Sequence, residues 1–270
     1  MSSNTVANVK ALFNSVIVRR PGEDLINCLS THPLKCSVDY AKAVRQHDEY
    51  IKILREEGIE VTILPKVVGF PDAVFIQDAA VIRSLSREAL ICNLGALSRK
   101  GEEVSVAEYL QTNDYVLRFV RPPATIEGGD VLITDVGVIY VGITARTNVE
   151  GCEYLKGFFN TFKVVPIRND YVFHLLSAVT YLGGKTIAAV PELVDVGVFD
   201  GFKVISVPSD EAYAANMLYL GEGKVLIPEG HPKTCSKLKS YGFKPIEVDL
   251  SEFRKCDGGV TCLSLPLYNI

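Results

Sequence analysis

Helix-like and strand-like patterns of apolar residues alternate along this chain. Residues 15–19 predict a first strand, which Pro21 and Gly22 end. A long amphipathic helix is predicted next, and it ends at Gly58 before a strand at residues 59–64. The apolar stripe of this helix, at helical spacing, consists of Tyr40, Val44, His47, Ile51 and Leu54.

The same order of helix and short strand recurs four more times. The helical patterns cover residues 102–111, 148–160, 191–199 and 233–241. The strands that follow them cover residues 115–120, 162–165, 202–207 and 243–249. These units are roughly 40 to 55 residues apart, a spacing typical of repeat architectures.

A hairpin-like segment follows the strand of each helix–strand unit. The paired runs are residues 74–82 with 89–93, 130–134 with 138–142, 173–182 with 185–190, and 216–220 with 224–228. A fifth hairpin begins at Cys262 and is expected to pair with the first strand of the chain. Five units that close on themselves predict an α/β fold in the form of a five-bladed propeller. It would be a single domain over residues 1–270, with a short flexible tail at residues 1–13.

The composition is that of a globular protein. Of the 270 residues, 48% are hydrophobic and 22% are charged, which is far from the composition of disordered chains. The net charge of −4 and the lack of a Lys/Arg run argue against nucleic acid as a partner. No window approaches the ~18 apolar residues of a membrane span, and the N-terminus lacks a signal-peptide pattern. The sequence therefore predicts a cytoplasmic protein with no membrane partner.

The seven cysteines form an odd set with no C-x-x-C pair. This spacing resembles neither a disulfide framework nor a zinc knuckle, so most of these cysteines are expected to be structural. Cys262 differs from the others because it follows Gly258 and Gly259 and opens an apolar, strand-like run. A thiol at such a place is well positioned to face a cleft.

Equivalent loops of a propeller emerge on the same face, so their polar residues gather near the axis. The polar residues at these corners are Asp72, Asp78, Glu127, His174, Asp210, Glu211 and Cys262, with Asn216 nearby. A thiol, an imidazole and several carboxylates are therefore expected to meet at one end of the ring.

This set of residues suits nucleophilic catalysis at a cationic centre. Cys262 is a good nucleophile as a thiolate, which an imidazolium or a bound cation stabilises. His174 can protonate a leaving amine and then take a proton from water, while Glu127 fixes its orientation and tautomer. Asp72 and Asp78 suit a guanidinium, whose planar fork matches carboxylates.

Structural alternatives exist for the same residues. His174, between two apolar neighbours, could be a packed core histidine, and residues 127–130 could be only a tight turn. Cys262, His174 and Glu127 could also hold zinc, but ligands spread over the chain without a close pair make this the minor alternative. A non-catalytic binding propeller is the alternative of another class. The convergence of all these groups favours an enzyme that uses no metal and no cofactor.

Several long motifs occur in the order in which one known family carries them. Over nearly its whole length the chain resembles the dimethylarginine dimethylaminohydrolases of the guanidino-group-modifying superfamily, which also includes arginine deiminases and amidinotransferases. That resemblance implies a five-bladed α/β propeller. The motifs are Phe70-Pro-Asp-Ala-Val-Phe-Ile-Gln-Asp78, Ile126-Glu-Gly-Gly-Asp130, Val141-Gly-Ile-Thr-Ala-Arg-Thr-Asn148, Phe173-His-Leu175 and Gly259-Val-Thr-Cys262.

The resemblance implies a reaction and a role for each catalytic residue. Cys262 would attack the guanidinium carbon of dimethylarginine or monomethylarginine, and His174, partnered by Glu127, would protonate the departing amine. Water activated by His174 would then open an amidino-thioether intermediate and release citrulline. The partner is thus expected to be a small guanidino amino acid, and a homodimer is compatible with the resemblance.

The resemblance also implies how the substrate is held. Asp72 and Asp78 would bind the guanidinium, and Arg99 and Arg146 would bind the α-carboxylate. The segment of Leu29 would cover the pocket as a lid.

One position departs from the family pattern. Gln77 stands where members usually carry an acidic residue, so it is expected to contact the substrate and to alter the choice of substrate. Hydrolysis of unmethylated arginine, or of another guanidino compound, with release of ammonia is therefore the alternative activity.

Overall fold

The computed structural model describes residues 9–270, and fifteen β-strands and five α-helices lie in that part of the chain. The strands are β1 (Phe13–Arg19), β2 (Glu60–Leu64), β3 (Ala80–Arg83), β4 (Glu88–Ile91), β5 (Val116–Phe119), β6 (Val131–Ile133), β7 (Val138–Ile143), β8 (Lys163–Arg168), β9 (Val179–Tyr181), β10 (Thr186–Ala189), β11 (Lys203–Ser206), β12 (Leu218–Gly221), β13 (Lys224–Pro228), β14 (Lys244–Val248) and β15 (Ser264–Tyr268). The helices are α1 (Tyr40–Glu56), α2 (Val104–Thr112), α3 (Val149–Phe158), α4 (Pro232–Ser240) and α5 (Ser251–Arg254).

The strands form five three-stranded blades of one design. In blade one, β3 pairs antiparallel with β4, and β4 pairs parallel with β5. Blades two, three and four repeat this pattern with β6–β8, β9–β11 and β12–β14. Blade five consists of β15, β1 and β2. The predicted five-bladed α/β propeller is confirmed.

The two ends of the chain meet in blade five. Strand β15 pairs antiparallel with β1, with Pro266 opposite Val16, as the sequence predicted. On its other side β15 pairs parallel with β3 through Leu267 and Ile82, which joins blades five and one into a six-stranded sheet. This pairing covers strand edges that would otherwise be open.

An α-helix connects the second and third strands in four blades, through α1, α2, α3 and α4. Helix α1 begins where its N-cap residue, Asp39, accepts a hydrogen bond from the backbone N–H of Lys42. In blade three, the helix expected at residues 191–199 is reduced to a 3₁₀ turn at Val196–Val198. Gly197 and its β-branched neighbours have low helix propensity, which explains this difference. Within residues 9–270, no helix combines the length and the apolar character that crossing a membrane requires.

The core of the described chain divides into five clusters of buried side chains, and each cluster lies between two neighbouring blades. Ile17 and Ile82 belong to the cluster between blades five and one. Leu90 and Val131 belong to the cluster between blades one and two. The three other junctions are filled in the same way. Apolar packing therefore closes the ring at every junction, in addition to the hydrogen bonds of the sheets.

Contacts of the N-terminal segment begin before β1. The carbonyl of Val9 accepts hydrogen bonds from Glu222 N at 2.8 Å and from Tyr219 Oη at 2.6 Å, both in blade four. Residues 1–8, which make up most of the expected tail, lie outside the described residues.

Candidate active site

The segment before the first strand of each blade brings one polar residue to the axis of the ring. In every blade a short 3₁₀ turn leads toward that strand. The pseudo-fivefold repeat therefore assembles residues from five distant parts of the sequence. The residues at these turns are Asp78, Glu127, His174, Asn216 and Cys262.

A cavity of about 140 Å³ opens at this end of the axis. Glu127 lies behind His174 and is fully buried, whereas Gln77 does not line the cavity. The residues expected from the sequence that do line it are Leu29, Asp72, Asp78, Arg99, Arg146, His174 and Cys262.

His174 and Glu127 form a close pair, with His174 Nε2 2.6 Å from Glu127 Oε2. Burial acts to lower the pKa of His174, but Asp78, the bond to Glu127 and Asp130 outweigh it and raise the pKa to about 9. Burial acts to raise the pKa of Glu127, but His174 and the nearby arginines lower it to about 2. At neutral pH the pair is therefore an imidazolium facing a carboxylate.

The Glu-Gly-Gly-Asp motif packs tightly against this pair. A Cβ at Gly129 would lie 2.8 Å from both His174 Cγ and Asp78 Oδ1, so only glycine allows this approach. Asp130 is fully buried and accepts a hydrogen bond from Leu175 N at 2.9 Å. Burial raises the pKa of Asp130 to about 6. The motif thus places a carboxylate before and after the glycine pair.

Asn216 and Thr261 hold the Cys262 thiol in place. Asn216 Nδ2 lies 3.9 Å from Cys262 Sγ, and Asn216 Oδ1 accepts a hydrogen bond from Thr261 N at 2.8 Å. Burial, followed by the charge of Asp78, raises the pKa of Cys262 to about 11. The resting thiol is therefore protonated at neutral pH, and a cation bound beside it would favour the thiolate.

Two carboxylates face the cavity near the thiol. Asp78 Oδ1 accepts a hydrogen bond from Gly129 N at 3.0 Å. Both carboxylate oxygens of Asp72 lie 3.1 Å from Leu29 N. Burial is the main cause that raises the pKa of Asp72. Each carboxylate keeps acceptor capacity for a planar cation, because an oxygen can accept more than one hydrogen bond.

Residues 29–31 line the cavity, and their segment is fastened on both sides of Leu29. Cys28 forms a disulfide bond with Cys256, and Thr31 N donates to Asp257 Oδ2 at 2.8 Å. That this segment acts as a lid stays a prediction.

The disulfide corrects the interpretation of the cysteines. Their spacing suggested no disulfide framework, yet Cys28 and Cys256 are paired across 228 residues of sequence, with Cα atoms 5.7 Å apart. Only the closed ring brings these two positions together. The free cysteines of the described chain are Cys36, Cys92, Cys152, Cys235 and Cys262.

The two arginines of the cavity differ in the partners that they already have. Arg146 Nη1 is buried without a hydrogen-bond partner among residues 9–270 and lies 3.7 Å from Glu127 Oε1. Arg99 instead donates to Asp78 at 2.7 Å and to Glu102 at 2.8 Å. Arg99 thus has internal partners and also lines the cavity, and its implied role as an α-carboxylate receptor stays a prediction. Arg146 keeps its donor capacity.

Gln77 points away from the cavity that Asp78 enters. Its side chain lines two other cavities, of about 60 and 10 Å³, and its Oε1 is buried without a partner within the described residues. The expectation that Gln77 contacts the substrate is therefore corrected. Neighbouring residues of a 3₁₀ turn point in different directions, so Gln77 and Asp78 cannot both face the same space.

Blade four contributes Asn216 to the axis and not the acidic pair expected there. Glu211 Oε2 accepts hydrogen bonds from the backbone N–H and the hydroxyl of Thr234, both at 2.7 Å, in the first turn of α4. Asp210 pairs with Lys233 at the surface. Glu211 therefore caps the start of α4, where free backbone N–H groups need acceptors, whereas Asp210 contacts only a side chain of the same helix.

Asp78, Glu127 and His174 could present ligand atoms to one metal ion, since these atoms lie within 4.8 Å of one another. Arg99 Nη1, however, lies 2.7 Å from Asp78 Oδ2 and 3.6 Å from Glu127 Oε2. A metal would have to compete with this fixed cation and with the proton on His174. The charges therefore favour an organic cation in the adjoining cavity.

Asn216, which the sequence analysis placed near the corner of blade four, is signalled by the repeat, because it occupies the position in blade four that Cys262 occupies in blade five. Two further polar residues of the site were not expected. Asp257 and Glu102 carry no such signal, because their partners, Thr31 and Arg99, become evident only in the fold.

Comparison with known proteins agrees with this geometry. A family model described as N,N dimethylarginine dimethylhydrolase, eukaryotic, matches residues 29–269. The chain is 36% identical to an N(G),N(G)-dimethylarginine dimethylaminohydrolase of Pseudomonas aeruginosa, over 94% of this chain and 99% of that protein. It is 43% identical to an uncharacterised protein of Aeropyrum pernix, over 96% of this chain and 97% of that protein.

Solved structures show the same fold. A variant of the P. aeruginosa dimethylarginine dimethylaminohydrolase, complexed with citrulline, superposes with a TM-score of 0.88 at 35% identity, covering 94% of this chain and 99% of that chain. The N-terminal domain of a cyanobacterial arginine dihydrolase shares the fold, with a TM-score of 0.85 at 20% identity, covering 94% and 98%. Fold and site together are those of the guanidino-group-modifying superfamily. Within it, the chain belongs to the dimethylarginine dimethylaminohydrolase family.

Proposed function

We propose that this protein hydrolyses Nω,Nω-dimethyl-L-arginine, or the monomethylated form, to L-citrulline and dimethylamine or methylamine. One observation carries the proposal: Cys262, the His174–Glu127 pair and the carboxylates of Asp72 and Asp78 meet at one cavity. Cleavage of a C–N bond in a guanidinium requires a nucleophile, a proton donor and acceptors for the cation. Membership of the family supports the same reaction, and we propose that the five blades act as one domain.

Substrate binding would prepare both the substrate and the thiol. Asp72 and Asp78 accept the N–H groups of the guanidinium, and Arg146 receives the α-carboxylate of the amino acid. The guanidinium brings a positive charge beside Cys262, which lowers the pKa of the thiol from its resting value of about 11. The thiol proton leaves to solvent, because His174 is already protonated at neutral pH.

In the first half of the reaction, the thiolate of Cys262 forms a C–S bond to the guanidinium carbon. His174 donates its proton to the substituted nitrogen as the C–N bond breaks, and the amine departs. The remaining species is a cationic amidino-thioether on Cys262, and His174 is now neutral. The carboxylate of Glu127 keeps the imidazole aimed at the reacting atoms.

In the second half, neutral His174 takes a proton from water, and the oxygen attacks the same carbon. The C–S bond breaks as the thiolate of Cys262 departs, the hydroxyl proton of the intermediate passes to this thiolate, and citrulline is released. The two halves consume one water and return Cys262 and His174 to their starting states. No step requires a metal ion or a cofactor.

The proposal is tested by supplying asymmetric dimethylarginine and arginine separately and measuring citrulline together with the released amine. We expect citrulline and dimethylamine in equal amounts from the methylated substrate. Citrulline and ammonia from arginine alone would identify the alternative activity. No citrulline from either compound would favour a binding protein.

A pair of cysteine variants checks the assignment of the nucleophile. Cys262→Ser should lose turnover by about 10³-fold or more while the circular dichroism spectrum stays unchanged. Cys36→Ser, at an exposed free cysteine, is the matched control and should retain full activity. Retained turnover in Cys262→Ser would exclude Cys262 as the nucleophile.

A further inference from the structure

A buried carboxylate outside the cavity binds the arginine that contacts Asp78 and lies close to Glu127. Glu102 is 4% exposed and does not line the cavity. Its two oxygens accept hydrogen bonds from Arg99 Nε at 3.2 and 3.1 Å, and Oε2 also accepts from Arg99 Nη2 at 2.8 Å. Glu102 thus binds the edge of the guanidinium that Nε and Nη2 form.

The opposite corner of the same guanidinium reaches the site. Arg99 Nη1 donates to Asp78 Oδ2 at 2.7 Å and lies 3.6 Å from Glu127 Oε2. His174 Nε2 in turn lies 2.6 Å from Glu127 Oε2 and 3.8 Å from Asp78 Oδ1. One buried chain of charges therefore runs from Glu102 through Arg99 to the imidazole.

We infer that Glu102 is a positioning residue, which acts through Arg99 to set how strongly Asp78 and Glu127 hold the proton on His174. Glu102 draws two of the three nitrogens of Arg99 to itself and leaves one for the catalytic carboxylates. Without this counter-charge, Arg99 would neutralise Asp78 and Glu127 more fully, and the imidazolium would lose support. The inference rests on the proposed function, because it explains how the proton donor of that reaction stays charged.

The charged groups that face His174 make the direction of the effect clear. Asp78, Glu127 and Asp130 stabilise its proton, whereas Arg99 contacts Asp78 and lies close to Glu127 and so competes with the imidazolium for two of these carboxylates. Burial raises the pKa of Glu102 to about 7, which is below that of His174, so Glu102 is charged over the range in which His174 titrates. Removing this charge takes one negative charge from the network and leaves the charge of Arg99 unbalanced. Both changes disfavour the imidazolium, so they act in the same direction.

The test is an NMR titration of His174 in Glu102→Gln, which preserves the size of the side chain. The chain has only four histidines, which makes the assignment of this imidazole practical. We expect the pKa of His174 to fall from about 9 by about one unit, with the alkaline limb of kcat/KM moving by the same amount. Glu103→Gln is the matched control, since Glu103 bonds the backbone N–H of Gly101 and should leave the titration unchanged.

A double variant separates action through Arg99 from a direct effect. In Arg99→Gln/Glu102→Gln the cation is absent as well, so the pKa of His174 should return to its starting value or rise above it. This variant removes one buried charge of each sign and keeps the net charge of the site, so it carries the test where the single variant fails to fold. Equal titrations of Glu102→Gln and Glu103→Gln, or a lowered pKa in the double variant, would overturn the inference.

The titration needs no turnover, so it is independent of the substrate. An unreactive wild-type protein would contradict the proposed function and leave the titration to decide the role of Glu102. An active protein with an unshifted His174 would contradict only the inference.

Discussion

At the scale of single residues, the charge of the His174 imidazole affects both the stability of the fold and the proposed reaction. His174 sits among three carboxylates, which raise its pKa to about 9 in spite of burial. The pKa of the Cys262 thiol is also raised, because burial and Asp78 disfavour the thiolate. Unlike the shift at His174, this shift keeps the group in its unreactive form until a cation binds beside it. At neutral pH, His174 is therefore charged and ready to donate a proton, whereas Cys262 is not yet a thiolate.

The raised pKa of His174 makes stability depend on pH. A group that binds its proton more tightly in the folded state stabilises the fold fully below its ordinary pKa of 6.5, and this contribution is lost as the pH rises through about 9. We expect the melting temperature of the wild type to fall more steeply between pH 6.5 and 9 than that of His174→Gln. Parallel melting curves for the two proteins across this range would contradict the assignment.

Gln77 offers a second prediction at this scale. Gln77→Glu would place a carboxylate where the amide oxygen already has no partner within the described chain, so we expect a loss of about 2 kcal/mol or more of stability. The ratio of kcat/KM for methylated and unmethylated arginine should stay the same, because Gln77 does not line the cavity. Gln77→Met is the control and should be close to neutral in stability. A changed substrate ratio in Gln77→Glu would restore Gln77 as a selector.

At the scale of elements, the segment of residues 28–31 is shaped by its attachments more than by regular structure. A short 3₁₀ turn, Glu23–Asn27, precedes it, and the segment itself carries neither helix nor strand. Cys28 ties it to Cys256, and Leu29 N binds Asp72 directly. The segment that lines the cavity and the residues that precede the nucleophile are thus covalently joined.

Opening the disulfide should loosen this segment. We expect reduction by a dithiol to raise KM by roughly fivefold, because a freer segment must be ordered at each binding event at a cost of about 1 kcal/mol. The double variant Cys28→Ser/Cys256→Ser should show the higher KM without reductant and no further response to it. Cys36→Ser should respond like the wild type. An unchanged KM after complete reduction, verified by mass spectrometry, would show that the disulfide does not control this segment.

At the scale of the whole molecule, the ring is closed by a strand of blade five that also pairs with blade one. Strand β15 pairs with β1 and with β3, and Cys262 lies in the turn that leads into it. Leu265, which is 1% exposed, packs in the cluster between blades five and one. Closure of the ring and placement of the nucleophile therefore depend on the same element.

Leu265→Ala tests this closure. Truncating a buried leucine should lower the free energy of unfolding by about 2–5 kcal/mol, measured by urea denaturation. Leu85→Ala, at a leucine that is 74% exposed, is the control and should change stability by less than about 0.5 kcal/mol. Equal stabilities of the two variants would mean that this junction contributes little to the fold.

The sequence by itself determined the five blades and most of the polar residues that meet at one end of the axis. Apolar alternation and glycine turns are local, so β6 and β7 or β12 and β13 could be predicted from short stretches of chain. The fivefold repeat then brought Glu127, His174 and Cys262 to one end of the axis, because equivalent loops leave a propeller on the same face.

The tertiary structure alone decided the directions and partners of side chains. It turned Gln77 away from the cavity, gave Arg99 to Glu102 and Asp78, and paired Cys28 with Cys256. These outcomes depend on distances between residues that are far apart in sequence or on the direction of a side chain within a turn. Neither quantity is encoded in local periodicity, because periodicity reports which face of an element is apolar and not what that face meets.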